Sequence, residues 1–256
     1  MKKIISAAIA AALLISGCSA NESLIQKNNT DVAEAHASNI KEAASLRGKE
    51  SYIVQKKDEH PYPKSCNYRT VKDIKLLYHS LHISTQLKYN TFKKAIDAYN
   101  KTLCKRENII GIVDYSKSSK EKRFFVIDLK KKKILLKTYV AHAKASGWEF
   151  AKHYSNDENS SKSTYGILKT GNLYYGKNGL SLRIRGLEKN INDNTFKRHI
   201  VIHGAKYVGN EWMKIHSNIQ GRSLGCFAIP TYEYKNILPK ISDGTIFYVN
   251  PMYRER

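Results

Sequence analysis

The spacing of apolar residues changes character near residue 108, and that change bounds the fold. Between residues 71 and 104 the period is helical. Phe92, Ala95, Ile96, Tyr99 and Leu103 fall at i, i+3, i+4, i+7 and i+11, one face of a helix. Ile74, Leu77, Tyr78 and Leu81 repeat the pattern in a preceding helix, and Asn90-Thr91 offers a cap between the two. From residue 109 the period falls to two or gives way to short apolar runs. Residues 109–113, 124–127 and 134–136 read as strands, with the lysines at 130–133 in the turn before the last of them. Residues 182–185, 199–203 and 246–249 read as further strands, separated by Gly- and Asn-rich stretches. The expectation is an α+β chain: a mainly β domain over residues 109–256, preceded by a small helical unit over 66–108.

The N-terminus speaks to compartment. Lys2 and Lys3 precede the segment 4–15, which is apolar throughout except for Ser6. That length suits the core of an export signal and is too short to cross a bilayer. The run ends in Leu14-Ile15-Ser16-Gly17-Cys18, which resembles a bacterial lipoprotein signal. The resemblance implies cleavage before Cys18 and lipid on its thiol. Ser19, after that cysteine, resembles the pattern that directs such proteins to an outer membrane facing the periplasm. Residues 1–17 are therefore read as a signal peptide and 18–65 as the lipidated cysteine with a polar tether. Within the tether, His60-Pro61-Tyr62-Pro63 cannot continue a helix.

Composition narrows the partners. Lys and Arg number 44 against 22 Asp and Glu, so the net charge is 44 − 22 = +22. With 41% hydrophobic and 26% charged residues, the chain is neither wholly disordered, nor collagen-like, nor a polytopic membrane protein. So basic a surface favours an anionic partner: nucleic acid, acidic lipid or an acidic wall polymer. An export signal argues against nucleic acid.

Once Cys18 carries lipid, Cys66, Cys104 and Cys226 remain. Cys66 and Cys104 flank the helical segment and form the natural disulfide in an oxidising compartment, two buried thiols being the alternative. Cys226 is left as a free thiol, a liability unless it has a task.

Two stretches carry chemistry: Arg198-His199-Ile200-Val201-Ile202-His203-Gly204 and Gly221-Arg222-Ser223-Leu224-Gly225-Cys226. Strand alternation puts Ile200 and Ile202 on one face and His199, Val201 and His203 on the other. Gly204 is expected to let the chain turn and leave the His203 imidazole uncrowded. Gly225 can adopt backbone angles that other residues resist, and such a turn presents a thiol with neighbouring N–H groups pointing the same way. A neutral thiol is a weak nucleophile, and a nearby imidazole that takes its proton makes it reactive. From the residues alone, a buried cysteine beside a core histidine fits as well. His79 and His82 lie three apart on the first helix and read as surface histidines.

These stretches resemble the signature of the L,D-transpeptidase (YkuD-like) catalytic domain, in which a His-Gly is followed some twenty residues later by a Ser/Thr-x-Gly-Cys. Residues 113–117, 123–128, 140–142, 175–188 and 207–208 resemble blocks of a murein L,D-transpeptidase-like subgroup. The resemblance implies a β-sandwich, Cys226 as nucleophile and His203 as general base. It also implies the Gly225 and Cys226 amides as oxyanion donors, and Ser223 as a support for the histidine or the loop. Leu224 stands where most of the wider family has a histidine. His142, in a block that usually reads His-Gly but here continues with Ala143, is expected to line the site or orient His203. Arg222 is expected to meet a substrate carboxylate or a structural partner, and Tyr165 to lie near the cleft.

The implied activity is cleavage of the diaminopimelate–D-Ala bond of peptidoglycan stem tetrapeptides through a thioester, followed by cross-linking or hydrolysis. The alternatives are a non-catalytic peptidoglycan-binding lipoprotein and a zinc hydrolase using His142, His203 and Cys226. The expected partners are stem peptides and, through the lipid, a membrane. No cofactor, no metal and no nucleic acid are expected, and the sequence does not assign an oligomeric state.

Overall fold

The computed structural model describes residues 70–252 apart from Cys104. The export signal, Cys18, the tether and the cysteine pair Cys66 and Cys104 lie outside the described residues.

Helix α1 (Ile74–Ser80) begins where the Asp73 carboxylate accepts a hydrogen bond from the Leu76 N–H at 2.7 Å. It buries Leu77 and Tyr78. Helix α2 (Tyr89–Lys101) buries Phe92, Ala95, Ile96 and Tyr99, as the helical spacing requires. Two details differ from the sequence reading. The cap position of α2 is Lys88, with no side-chain hydrogen bond, and Asn90 and Thr91 lie inside the helix. Leu103 is 63% exposed, because the backbone turns extended at Thr102 before the apolar stripe can complete another turn.

The strands are β1 (Ile109–Asp114), β2 (Phe124–Asp128), β3 (Lys133–Thr138), β4 (Gly166–Gly176), β5 (Gly179–Gly186), β6 (Val201–Ala205), β7 (Phe227–Pro230) and β8 (Ile246–Asn250). They form one eight-stranded sheet in the order β3-β2-β1-β8-β4-β5-β6-β7. Pairing is antiparallel except for β1 with β8 and β6 with β7, which run parallel. Two short helices, α3 (Asn210–Ile215) and α4 (Tyr234–Ile241), sit in the connections on either side of β7.

Both faces of the β1–β2–β8 end are covered. Ile110, Ile112, Phe125, Ile127 and Ile246 pack with Phe92, Ile96 and Tyr99 of the helices. Val113, Phe124, Val126, Phe247 and Val249 enter a second cluster with Leu182, Ile202, Phe227, Ile229 and Leu238. Burial on both sides explains why these strands read as unbroken apolar runs rather than as an alternation. Each such side chain contributes roughly 1.5–3 kcal/mol on leaving water.

The second cluster joins strands from opposite ends of the sheet, so the sheet curls over on itself. Tyr115, just after β1, stacks on Phe227 of β7 with ring centres 6.2 Å apart. The Ala141 N–H, just beyond edge strand β3, donates to the Ala228 carbonyl of the other edge strand at 2.9 Å. The outcome is the mainly β, sandwich-like fold with helices before it that was expected. The helices and the sheet share a core and form a single unit.

Candidate active site

Parallel pairing of β6 with β7 sets Ile202 against Phe227 and His203 against Ala228. Cys226 immediately precedes β7 and falls level with Val201. Paired residues of adjacent strands point to the same face, so Val201, His203, Cys226 and Ala228 lie opposite the face that sends Ile202, Phe227 and Ile229 into the core. Extending the strand geometry by one residue puts the Cα atoms of Cys226 and His203 roughly 8 Å apart. Cys226 is a free thiol.

The histidine is buried, with one ring nitrogen bonded. His203 is 4% exposed, and its Nδ1 lies 2.9 Å from the Gly204 carbonyl. A carbonyl only accepts, so Nδ1 carries the hydrogen and the lone pair is on Nε2. Burial pulls its pKa below the usual imidazole value, against the opposing effect of the Gly204 hydrogen bond. The ring is therefore neutral at pH 7. Gly204 is a glycine for a reason that alternation did not reveal. It lies within β6, and a Cβ there would come within 2.5 Å of the Tyr234 ring of α4. What the glycine accommodates is a packed aromatic ring rather than a turn.

The thiol is half-buried and protonated. Burial raises its pKa, while a backbone N–H from Val201 and the charge of Arg198 pull it back down. It donates to the His199 carbonyl, with 3.6 Å from sulfur to oxygen. His199 has a φ of +53°, an uncommon conformation for a residue with a side chain, and stands before β6 rather than in it. Arg198, whose charge acts on the thiol, is fixed by the Ser155 and Lys162 carbonyls and the Ser160 hydroxyl.

Ser223 ties the loop before Cys226. Its hydroxyl donates to the Cys226 carbonyl at 2.7 Å and accepts from the Gly225 N–H at 3.1 Å. The Gly225 amide, expected to face an oxyanion, is thus engaged inside the loop. Gly225 has a φ of +139°, and an added Cβ would press on Ile200 at 3.3 Å, so both conformation and space call for glycine. Leu224, between them, is 73% exposed.

Beneath the loop lies a support built on a residue that sequence reasoning quoted but gave no role. Arg123 is fully buried and, among the described residues, pairs with no carboxylate. It donates to the Lys117 carbonyl at 2.8 Å, to the Val140 carbonyl at 3.0 Å and to His142 Nδ1 at 2.8 Å, and lies 5.0 Å above the Tyr115 ring. Arginine can only donate, so Nε2 of His142 carries that ring's hydrogen, which goes to the Gly147 carbonyl at 3.1 Å. Burial and the adjacent guanidinium hold the His142 pKa down to about 3. Both ring nitrogens are in use and the ring is 1% exposed, so His142 presents no free nitrogen to a substrate or to His203. Its backbone carries the loop instead: the His142 carbonyl accepts from the Ser223 N–H at 3.0 Å, and the Ser223 carbonyl from the Lys144 N–H at 2.7 Å.

The remaining expected residues are placed as follows. Arg222 stacks on Trp148 at 4.2 Å and makes no ion pair among the described residues. Tyr165 is half-buried, edge-on to Tyr154 with centres 5.3 Å apart. His79 and His82 are exposed on or just after α1. Among the described residues no three His, Cys, Asp or Glu side chains group closely enough to share a metal ion, and no helix is long and apolar enough to cross a membrane.

A free thiol just before β7 and a neutral imidazole on the neighbouring strand β6 form the candidate site of this curled mixed sheet. The family model described as the L,D-transpeptidase catalytic domain matches residues 83–250, and the chain belongs to that family. No curated protein matches the chain. Among solved structures, it is similar to an L,D-transpeptidase from Mycobacterium smegmatis, at 12% identity and a TM-score of 0.35, over 56% of this chain and 58% of that one. It is also similar to the helical cell shape determining protein Pgp2 from Campylobacter jejuni, at 13% identity and a TM-score of 0.34, over 58% of this chain and 49% of that one. The Ldtfm–avibactam carbamoyl enzyme is similar at 12% identity and a TM-score of 0.36, over 73% of this chain and 86% of that one. The chain spans about half the length of the first two.

Proposed function

We propose that this protein is a peptidoglycan-modifying cysteine acyltransferase. Its substrate is the stem tetrapeptide, cut between diaminopimelate and D-Ala. The observation that best supports the reading is the β6–β7 register, which pairs His203 with Ala228 two residues after Cys226, while His203 Nδ1 donates to the Gly204 carbonyl and leaves the lone pair on Nε2.

The resting pair is thiol and neutral imidazole, so the proton moves as attack begins. Cys226 Sγ leaves the His199 carbonyl, gives its proton to His203 Nε2 and adds to the diaminopimelate carbonyl carbon. With the Gly225 N–H held by Ser223, the Cys226 N–H is the amide assigned here to the developing oxyanion. The C–N bond to D-Ala breaks, and the leaving amine takes the proton from His203. A thioester on Cys226 remains. An amine of a second stem then displaces sulfur to form a cross-link, or water does so to leave a tripeptide. In the cell the domain stands at the envelope, lipid-anchored through Cys18 on the polar tether, and its basic surface suits a carboxylate-rich wall.

The test is incubation of the protein with a disaccharide-tetrapeptide, followed by mass spectrometry. Loss of D-Ala or dimer formation is expected, with a thioester adduct on Cys226. In Cys226→Ala the rate should drop by about a thousandfold or more. Turnover that survives this change would falsify the thiol mechanism. A properly folded protein that binds sacculi without any turnover would favour the non-catalytic reading, for which the parking of the thiol on His199 speaks.

A further inference from the structure

An open pocket of about 380 Å³ runs beside the loop that leads into Cys226. Gly221 and Arg222 of that loop form one side, and Trp148, Trp212, Ile215 and Lys144 are among the rest. Both tryptophans of the chain line it. Trp148 is 61% exposed and Ile215 78% exposed, an unusual display of apolar surface unless something covers it. The ring of Trp212 is held flat against His216, centres 3.5 Å apart, and that of Trp148 against the Arg222 guanidinium.

No carboxylate lines the pocket, and among the described residues none pairs with Lys144 or Arg222. A guanidinium stacked on an indole is held in place while the N–H groups along its edge stay available, so little side-chain freedom is lost when an anion arrives. Two cations without counter-ions beside two apolar walls suit a ligand that is anionic at one point and apolar next to it.

We propose that this pocket is a carboxylate-reading subsite. It takes a free carboxylate of the acidic stem peptide on Arg222 and Lys144, with the adjoining methyl and methylene groups against Trp148 and Trp212, and it discriminates against stems whose carboxylates are amidated. The inference rests on the acyltransferase reading for the identity of the peptide. Its binding to an acidic peptide can be measured without turnover.

Because the only tryptophans lie here, intrinsic fluorescence reports on this pocket. The full chain carrying Cys226→Ala is titrated with the free-carboxylate tetrapeptide, with the same peptide amidated at its side-chain and α-carboxyl groups, and with the peptide-free disaccharide. The expected result is a saturable change in emission with the acidic peptide, and binding about tenfold weaker or worse for the amidated one. Arg222→Gln and Lys144→Gln are each expected to weaken the acidic peptide about tenfold and leave the amidated one unaffected. Should either variant fold poorly, the unsubstituted pocket still decides: affinity for the acidic peptide should fall as salt rises from about 50 to about 300 mM, which shortens the Debye length from roughly 14 to roughly 6 Å.

Equal binding of both peptides, an equal response to the disaccharide, or an affinity insensitive to salt and to Arg222→Gln each overturns the proposal. A thioester with no preference for free carboxylates rejects the subsite and keeps the acyltransferase. Selective binding of the acidic peptide by Cys226→Ala, when the unsubstituted protein forms no thioester with the same peptide, rejects the acyltransferase and keeps the subsite.

Discussion

Two histidines stand on either side of the loop before Cys226, and they have opposite hydrogen-bonding economies. His203 uses one ring nitrogen on its own strand and keeps the other as a lone pair. His142 uses both, one on a buried arginine and one on the Gly147 carbonyl. Burial lowers both pKa values, but a guanidinium adds to the effect only at His142. The same side chain thus keeps a lone pair in one place, where the proposed mechanism needs a base, and is a brace in the other. What separates them is the number of partners, which a motif does not record.

The comparison breaks most easily at Arg123. If His142 is a brace, removing its partner should harm the fold as well as the chemistry. Arg123→Met leaves two carbonyls and a ring nitrogen without a donor in a dry site, a loss of about 3 kcal/mol or more. For a domain of this size that is a fall in Tm of roughly 6–12 °C. Activity should fall with it, since the His142 backbone holds Ser223. A variant with unchanged Tm would show that the arginine is incidental.

Much of this arrangement was legible in the sequence, and the illegible part has physical causes. The helices and the strand-rich half follow from periodicity, whereas the relation of His203 to Cys226 is implied only by the family motif. Arg123 was quoted within a matched block but could not be given a role. A lone arginine before an apolar strand reads as solvated, and only the fold shows carbonyls from residues 117 and 140 converging on it. The role of Gly204 was misjudged because its constraint comes from Tyr234, thirty residues on. Leu103 fits the helical stripe in spacing yet lies beyond the end of α2, since periodicity does not know where the backbone leaves the helix. The long strand β4 shows no clean alternation, as Gly171 and Asn172 fall at a shift in its register with β5.

A smaller effect sharpens the contrast between the histidines through pH. Unfolded, the His142 ring takes a proton near pH 6.5, while folded it resists one until about pH 3. Between those values the unfolded state binds more protons. The stabilisation is therefore complete above pH 6.5 and is lost as pH falls toward 3, at about 1.4 kcal/mol per pH unit. Thermal melts from pH 7 to 5 should show a loss of about 2 kcal/mol from this group, and His142→Gln should remove that part of the slope. A variant whose pH slope matches the parent would mean that His142 does charge in the folded state. The pKa of His203 is also depressed, so the acid limb of kcat/KM should lie below pH 6.5, and His142→Gln should leave it in place.

The smallest effect separates the two tasks open to Ser223. Its hydroxyl bonds to the Gly225 N–H and the Cys226 carbonyl. If that is its whole task, Ser223→Ala loosens the loop and costs about 1 kcal/mol or less of stability. It should lower kcat about tenfold through misplacement of the nucleophile, and Ser223→Thr should restore most of the rate, since it keeps the hydroxyl. The acid limb of the pH profile should stay where it is, because nothing bonded to the His203 ring has changed. A limb displaced by half a pH unit or more in Ser223→Ala would instead tie the serine to the imidazole. It would also place the brace and the base in one hydrogen-bonded system rather than two.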